Sequence, residues 1–446
     1  MKNTIAITNE FFKEQNEKYL RCKKNTVLRH ALANTSMPNV VRSHDFANLT
    51  RNMFSIDVKT MDACNQKQSG RCWIFAACNV LREIIGKKLN IKQLELSQAY
   101  VAFFDKLEKV NYIAETIIDL IDKDYDDREL QFVLQSKISD GGQWDMFVNI
   151  VKKYGICPKM AMDETAQSNQ SNYYNRLINA NISKFAADVK NAYLNKGMDE
   201  VRKIQQDLLE KCYALLLNCY GNPVETFDFE YVDADNKYNI IKNLTPKSFF
   251  DKYIGNEIDE YVSIINAPTK DKPFNKSYTV KYLGNVVEGR EIRHLNVTMD
   301  RLKELVIESL KNDEIVWFGS DVGFYGAREE GLWDDLAFDY ATPFGLDFKM
   351  DKGEALDYRM SAMNHAMCIT GVNLDSNAKE TKWKIENSWG TENGNKGYYV
   401  MSKTWFDRFT YQAVTKKKYL TKDELDAYLA SPVELKPWDP MGTLAD

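Results

Sequence analysis

Asn65–Asn79 reads NQKQSGRCWIFAACN. Cys72 follows a turn built on Ser69 and Gly70 and opens an apolar run that continues to about Lys88. Trp73, Phe75, Ala76, Val80, Leu81 and Ile84 recur largely at steps of three and four, the period of a helix with a buried face. A thiol in the first turn of such a helix meets unpaired backbone N–H groups and the positive end of the helix dipole, which favour its thiolate. Gly70 lets the backbone approach whatever Cys72 attacks. Gln66 lies upstream and offers a side-chain amide to a developing oxyanion, with the Cys72 N–H as the second donor.

A thiolate nucleophile needs a base, and the base needs an orienting partner. His365 stands at the start of a strand pattern in NHAMCITG (Asn364–Gly371), and Asn387 at the end of the next strand pattern, in ENSWG (Glu386–Gly390). Adjacent strands would bring the two together at one end of a sheet, where Trp389 would cover their hydrogen bond. The other histidines, His30, His44 and His294, show no spacing that links them to chemistry.

Outward from these motifs, 446 residues are too many for one ordinary core, and length suggests two or three substructures. Helix patterns are read at Glu10–Leu20, Ser97–Lys109, Gln143–Tyr154 (stopped by Gly155), Met198–Tyr220, Pro246–Tyr253 and Thr298–Lys311. Residues around Asn34–Arg42 read as irregular. Strand patterns are read at Glu314–Gly319, Ala366–Asn373, Lys382–Asn387 and Gly397–Ser402. A helical first part and a β-rich last part predict an α+β protein with two facing lobes. The expected division is an N-terminal arm (1–60), a helical lobe (61–164), a polar helical insertion (165–290), a β-rich lobe (291–430) and a C-terminal arm (431–446).

A net charge of −5 gives no global reason to expect nucleic acid or an anionic membrane as a partner. The N-terminal segment lacks the pattern of a secretory signal. Cys212–Cys219, the most apolar short run, is too short to span a bilayer. A cytoplasmic location is therefore expected, and the eight cysteines are expected to be free thiols. No CxxC pair occurs, and the histidines form no metal-spaced cluster with cysteines, so neither a metal nor a cofactor is expected.

Residues 66–75 and 387–390 resemble the papain-like peptidases, and Gly141–Gly142 in SDGGQW resembles their ledge for the substrate backbone. SGRCW, NHAM and the tail KPWDPMGTLAD are similar to the aminopeptidase C and bleomycin hydrolase branch, in the same order along essentially the whole chain. In better-known papain-like enzymes His and Asn follow the cysteine by about 130–150 residues; here His365 lies 293 residues on, about twice as far. The excess matches 165–290, which the resemblance identifies as an oligomerising insertion.

The resemblance implies a papain-like core with added helices, a homohexamer with inward-facing sites, and short peptides as substrates. Catalysis would fall to Cys72, His365, Asn387 and Gln66, and substrate binding to Gly141, Gly142, Trp389, Asn364, Ala445 and Asp446. A C-terminal arm in the cleft would hold the substrate's α-amino group by its terminal carboxylate, at a fixed distance from the thiolate. Two other readings stay open on sequence alone: a Cys–His–Asn acyltransferase, and a scaffold or nucleic-acid-binding hexamer with an idle site.

Overall fold

The computed structural model describes residues 4–43 and 52–445; His44 and Asp446 lie outside them. The helix Cys72–Leu89 is apolar on almost every side, and it is buried accordingly, with Trp73, Ile74, Ala77, Leu81 and Ile85 fully enclosed. It lies against the strand His365–Leu374. Two polar contacts set its position there: Trp317 Nε1 donates to the Trp73 carbonyl at 3.1 Å, and Cys368 Sγ donates to the Ala76 carbonyl at 3.2 Å. Burying each Ile, Leu or Phe of this interface contributes about 1.5–3 kcal/mol. The helices Gln98–Asp119 and Trp144–Tyr154 complete the helical lobe. Gly155 ends the second of these with φ +83°, as expected for a helix stop that only glycine adopts without strain.

The facing lobe is built on a twelve-stranded sheet. Val316–Ser320, His365–Leu374, Glu380–Glu386 and Tyr398–Ser402 are successive antiparallel neighbours, and Thr410–Lys416 pairs with the far side of Val316–Ser320. The helix Met299–Lys311 packs on the sheet. Helices on one side and a large mixed sheet on the other make the α+β architecture that the strand and helix patterns predict, arranged as the papain-like core that the resemblance implies.

The expected helical insertion needs correction at its end. Tyr261–Ile265 and Lys276–Val280 are strands of the large sheet, not helix. Their sequences, YVSII and KSYTV, are short runs of β-branched and aromatic residues set in a polar context that hides them. What is helical is a hairpin, Asn172–Lys196 and Met198–Tyr220, turned at Gly197 (φ +84°) and closed by a Tyr174–Tyr220 hydroxyl contact of 2.7 Å. A small two-stranded sheet, Phe227–Val232 with Tyr238–Leu244, follows it. The stretch read as irregular, Asn34–Arg42, contains a short helix, Met37–Val41, with proline in its first turn. Ile56–Asp57 pairs with Val372 and Gly371 at the sheet edge.

One ion pair crosses from helix to sheet. Arg82 Nη2 lies 2.7 Å from Glu386 Oε1, with both side chains essentially inaccessible, and Asn79 Nδ2 donates to the same oxygen at 2.7 Å. Removing one member leaves the other buried without the opposite charge nearest to it. Arg82→Met should therefore lower unfolding stability by about 3–5 kcal/mol, read from urea denaturation, whereas Arg82→Met with Glu386→Met should recover most of the loss. A single variant as stable as the parent would show that the pair contributes nothing.

Candidate active site

The helix begins at Cys72, with Arg71 in its N-cap position. Cys72 Sγ accepts from the backbone N–H of Ala366 at 3.4 Å, which sets the thiol beside the first residue of the facing strand. That first residue is His365. Its Nε2 lies 2.8 Å from Asn387 Oδ1. The same oxygen accepts the Ser388 N–H at 2.8 Å, so Asn387 presents an acceptor and the His365 proton sits on Nε2. Nδ1 is then the basic nitrogen. Trp389 stacks on the imidazole with ring centres 4.9 Å apart, and Arg328 lies over the other ring, 4.5 Å from the Trp389 centroid. The cover over the His365–Asn387 bond is where the motif places it.

Gln66 is fixed at three points. Its backbone N–H donates to the Ser388 carbonyl at 2.8 Å, Ser388 Oγ donates to its Oε1 at 2.5 Å, and its Nε2 donates to the Ser69 carbonyl at 2.6 Å. An amide nitrogen carries two hydrogens, so the second remains available to another acceptor.

The Gly141–Gly142 ledge is occupied by the chain's own tail. Gly142 N–H donates to the Leu444 carbonyl at 3.0 Å, and Ser139 Oγ donates to the Ala445 carbonyl at 2.5 Å. A Cβ on Gly141 would come within 2.4 Å of the Leu444 oxygen, and one on Gly142 within 2.5 Å of the Trp73 ring, so both positions need glycine for close approach. Asp140 knits this loop to the helix that begins at Cys72. Its Oδ2 accepts the Gly70 N–H at 2.8 Å, and its carbonyl accepts Trp73 Nε1 at 2.6 Å. Burial alone would raise the Asp140 carboxyl, but Lys106 at 2.6 Å, helped by Ser171 and Asn175, holds it far below the usual carboxylate range.

Cys72, His365, Asn387, Gln66, Trp389, Gly141, Gly142 and Ala445 thus gather around one cleft. Asn364 does not join them through its side chain, which is held by Asp321 Oδ1 at 2.6 Å and by the Val322 N–H at 3.0 Å. Its amide shapes the turn before His365. Ser388, Asp140 and Glu164 were not singled out from sequence. The first two sit inside quoted motifs. Glu164 sits at the root of the insertion and carries no local signal.

The expected thiolate meets opposition. Burial pushes Cys72 up to about 11, against the pull of the Ala366, Trp73 and Cys72 N–H groups. Burial pushes His365 down to about 4, although Asn387 pulls it back up. The helix start is present, but in this arm-seated state desolvation outweighs it, and each partner alone is neutral near pH 7. Among the described residues no group of three or more His, Cys, Asp or Glu side chains could hold a metal ion, and no helix among them is long and apolar enough to cross a membrane.

Fold and cleft together define a papain-like cysteine peptidase. The model of the peptidase C1-like family matches residues 6–442, and the chain belongs to that family. It is 47% identical over 397 residues to aminopeptidase C of Lactobacillus delbrueckii subsp. lactis, covering 88% of each chain. It is 43% identical to aminopeptidase C of Lactococcus lactis subsp. lactis (strain IL1403), covering 99% of this chain and 100% of the relative. The crystal structure of PepW from Lactobacillus rhamnosis HN001 superposes with a TM-score of 0.95 at 44% identity, covering 98% of this chain and 99% of that one.

A neutral resting pair has a kinetic signature. The carboxamidomethylation rate at Cys72, followed by mass spectrometry of its peptide, should climb steadily between pH 7 and 9, because only the thiolate reacts and its fraction grows with pH below about 11. A rate already on its plateau at pH 7 would instead show a charged pair formed with the arm in place.

Proposed function

We propose that this chain is a cysteine aminopeptidase that removes residues one at a time from the N-termini of short peptides. The observation that carries the reading is the Gly142–Leu444 hydrogen bond: the tail lies on the glycine pair that packs against Trp73, the residue after Cys72, and in this reading it closes one side of the cleft. A peptide then enters only with its first residue against the tail. A carboxylate of Asp446, the next residue along the tail, would hold the free α-amino group and set the cleavage distance. Three relatives, two called aminopeptidase C and one, at 37% identity over 416 residues, called aminopeptidase G, support it.

The chemistry follows from the bonds already described. Cys72 Sγ attacks the scissile carbonyl while its proton passes to His365 Nδ1, so charge develops on both partners together although neither favours it alone. The free hydrogen of Gln66 Nε2 and the Cys72 N–H receive the oxyanion. His365 then protonates the leaving amine, and a thioester remains on Cys72. Water, deprotonated by His365, attacks the thioester and releases the amino acid. Asn387 holds Nε2–H throughout, which fixes the ring and stabilises its imidazolium form. No cofactor is invoked.

The helical hairpin from Asn172 to Tyr220 is part of the proposal as an oligomerising insertion that ends before Tyr261, between a helical lobe from 61 and a β-rich lobe whose last strand, Val433–Leu435, runs past the expected boundary at 430. Exposed Tyr173, Leu177, Leu194 and Tyr213 on its surface support an assembly role, with a homohexamer as the expected size. A cytoplasmic location is supported by eight free cysteines, seven of them buried.

Cys72→Ser should lower turnover of an aminoacyl fluorogenic amide by at least about a thousandfold; normal turnover would remove Cys72 from the mechanism. Deleting residues 443–446 should move activity toward cleavage within blocked peptides. A truncated enzyme that still required a free amino terminus would show that the tail is not the ruler.

A further inference from the structure

Behind the nucleophile turn, the root of the insertion makes an unbroken set of polar contacts to it. Glu164 binds Arg71 through both carboxylate oxygens, at 3.1 and 2.9 Å. The Arg71 side chain is 1% exposed and that of Glu164 10%, so the pair lies out of water. Arg71 Nε donates to Ser69 Oγ at 2.9 Å, Ser69 Oγ donates to the Gln66 carbonyl at 2.7 Å, and Gln66 Nε2 donates to the Ser69 carbonyl at 2.6 Å. The next residues of the root add a second hold. Gln68 N–H donates to the Asn169 carbonyl at 3.0 Å, and Gln170 Nε2 donates to Gln68 Oε1 at 3.0 Å.

We infer that Glu164 is a positioning residue for peptide-bond hydrolysis, fixing the Gln66 amide at the oxyanion site through Arg71 and Ser69. This rests on the reading of Gln66 as an oxyanion donor given above. Arg71 precedes Cys72 directly, and its guanidinium is too buried to keep its place without a counter-charge. A flat fork held bidentately allows one orientation. That orientation places Nε against Ser69, and Ser69 in turn grips Gln66 on both its backbone and its side chain. An oxyanion donor contributes most when it needs no rearrangement as charge develops, and a displacement of about 1 Å costs up to a hundredfold in rate. The segment that leads into the hairpin, residues 164–170, remote from the chemistry in sequence, therefore forms the back wall of the oxyanion site.

The test compares Glu164→Gln with the parent enzyme in its natural assembly, using two reactions of the same thiol. Amide hydrolysis forms an oxyanion. Alkylation by iodoacetamide does not: an S–C bond forms at a saturated carbon and iodide leaves. Glu164→Gln should lower kcat about tenfold or more, with KM and the Cys72 alkylation rate each within about twofold. The loss should vanish in a Gln66→Ala background. An unchanged kcat, an equal fall in both reactions, or full additivity with Gln66→Ala would each overturn the assignment. Ser69→Ala, which breaks the middle of the path without stranding a charge, should give the same split, and it decides the matter if Glu164→Gln does not fold. A parent enzyme without amidase activity would refute the proposed function itself, a result distinct from a parent that is active and insensitive to Glu164.

Discussion

Everything in the cleft depends on how the helix Cys72–Leu89 is pressed against the strand His365–Leu374. The two elements come from opposite ends of the chain and from different lobes, yet the thiol of one accepts a hydrogen bond from the backbone of the other. Such contact demands that the helix be apolar nearly all round, since it is covered by the sheet on one side and by the helices of its own lobe on the other. Its few polar side chains are then forced into pairs. Asn79 and Arg82 meet Glu386, the residue before Asn387. The register of helix on strand and the position of Asn387 are thereby fixed by the same contact.

Burial that fixes geometry also suppresses charge. In the arm-seated chain, Cys72 and His365 are each pushed toward neutrality, while Asp140 stays ionised because Lys106 and two hydroxyl or amide donors are supplied to it. The difference is one of partners. Asp140 is a structural charge with a full set of donors, and it joins the ledge, the nucleophile turn and the insertion root. Cys72 has only a few N–H groups and His365 has Asn387, and among the described residues no full opposite charge is supplied to either, so both stay neutral where Asp140 does not.

Much of this was legible in the sequence because local patterns and long-range contacts agree. The helix from Cys72, the strands that carry His365 and Asn387, and the helices Met198–Tyr220 and Pro246–Tyr253 stand where their periodicity puts them. The helix Asn172–Lys196 was missed. Its buried stripe, Tyr174, Ile178, Ile182, Phe185, Val189 and Ala192, has a helical step, but it is one residue wide and flanked by asparagines that favour turns. The Glu164–Arg71 pair was beyond reach for another reason: a single carboxylate before a polar segment has no local signature, and its partner is chosen only by the fold. The helix start at Cys72 was readable, whereas the depth of burial that opposes its thiolate was not, because desolvation comes from the whole surrounding structure.

The tail's hold on the ledge can be weighed in the same terms. Burying Leu444 contributes about 2 kcal/mol, and the hydrogen bonds of Gly142 to Leu444, Ser139 to Ala445 and Thr443 to Met363 contribute about 1 kcal/mol each. Ordering the last three described residues costs about 1–2 kcal/mol per residue in backbone freedom. These opposing quantities are of similar size, so the tip by itself would hold the ledge only weakly. Its root changes the balance. Met441 is fully buried, Trp438 lies under the Arg128 guanidinium at 3.7 Å, and Asp439 pairs with the buried Lys272 at 2.9 Å. With the chain fastened at 438–441, little freedom remains for the tip to regain on release. A peptide competing for the Gly142 N–H must displace an end that is already at its site. The proposed role of the arm as a fixed stop would thus rest on contacts made before it reaches the ledge.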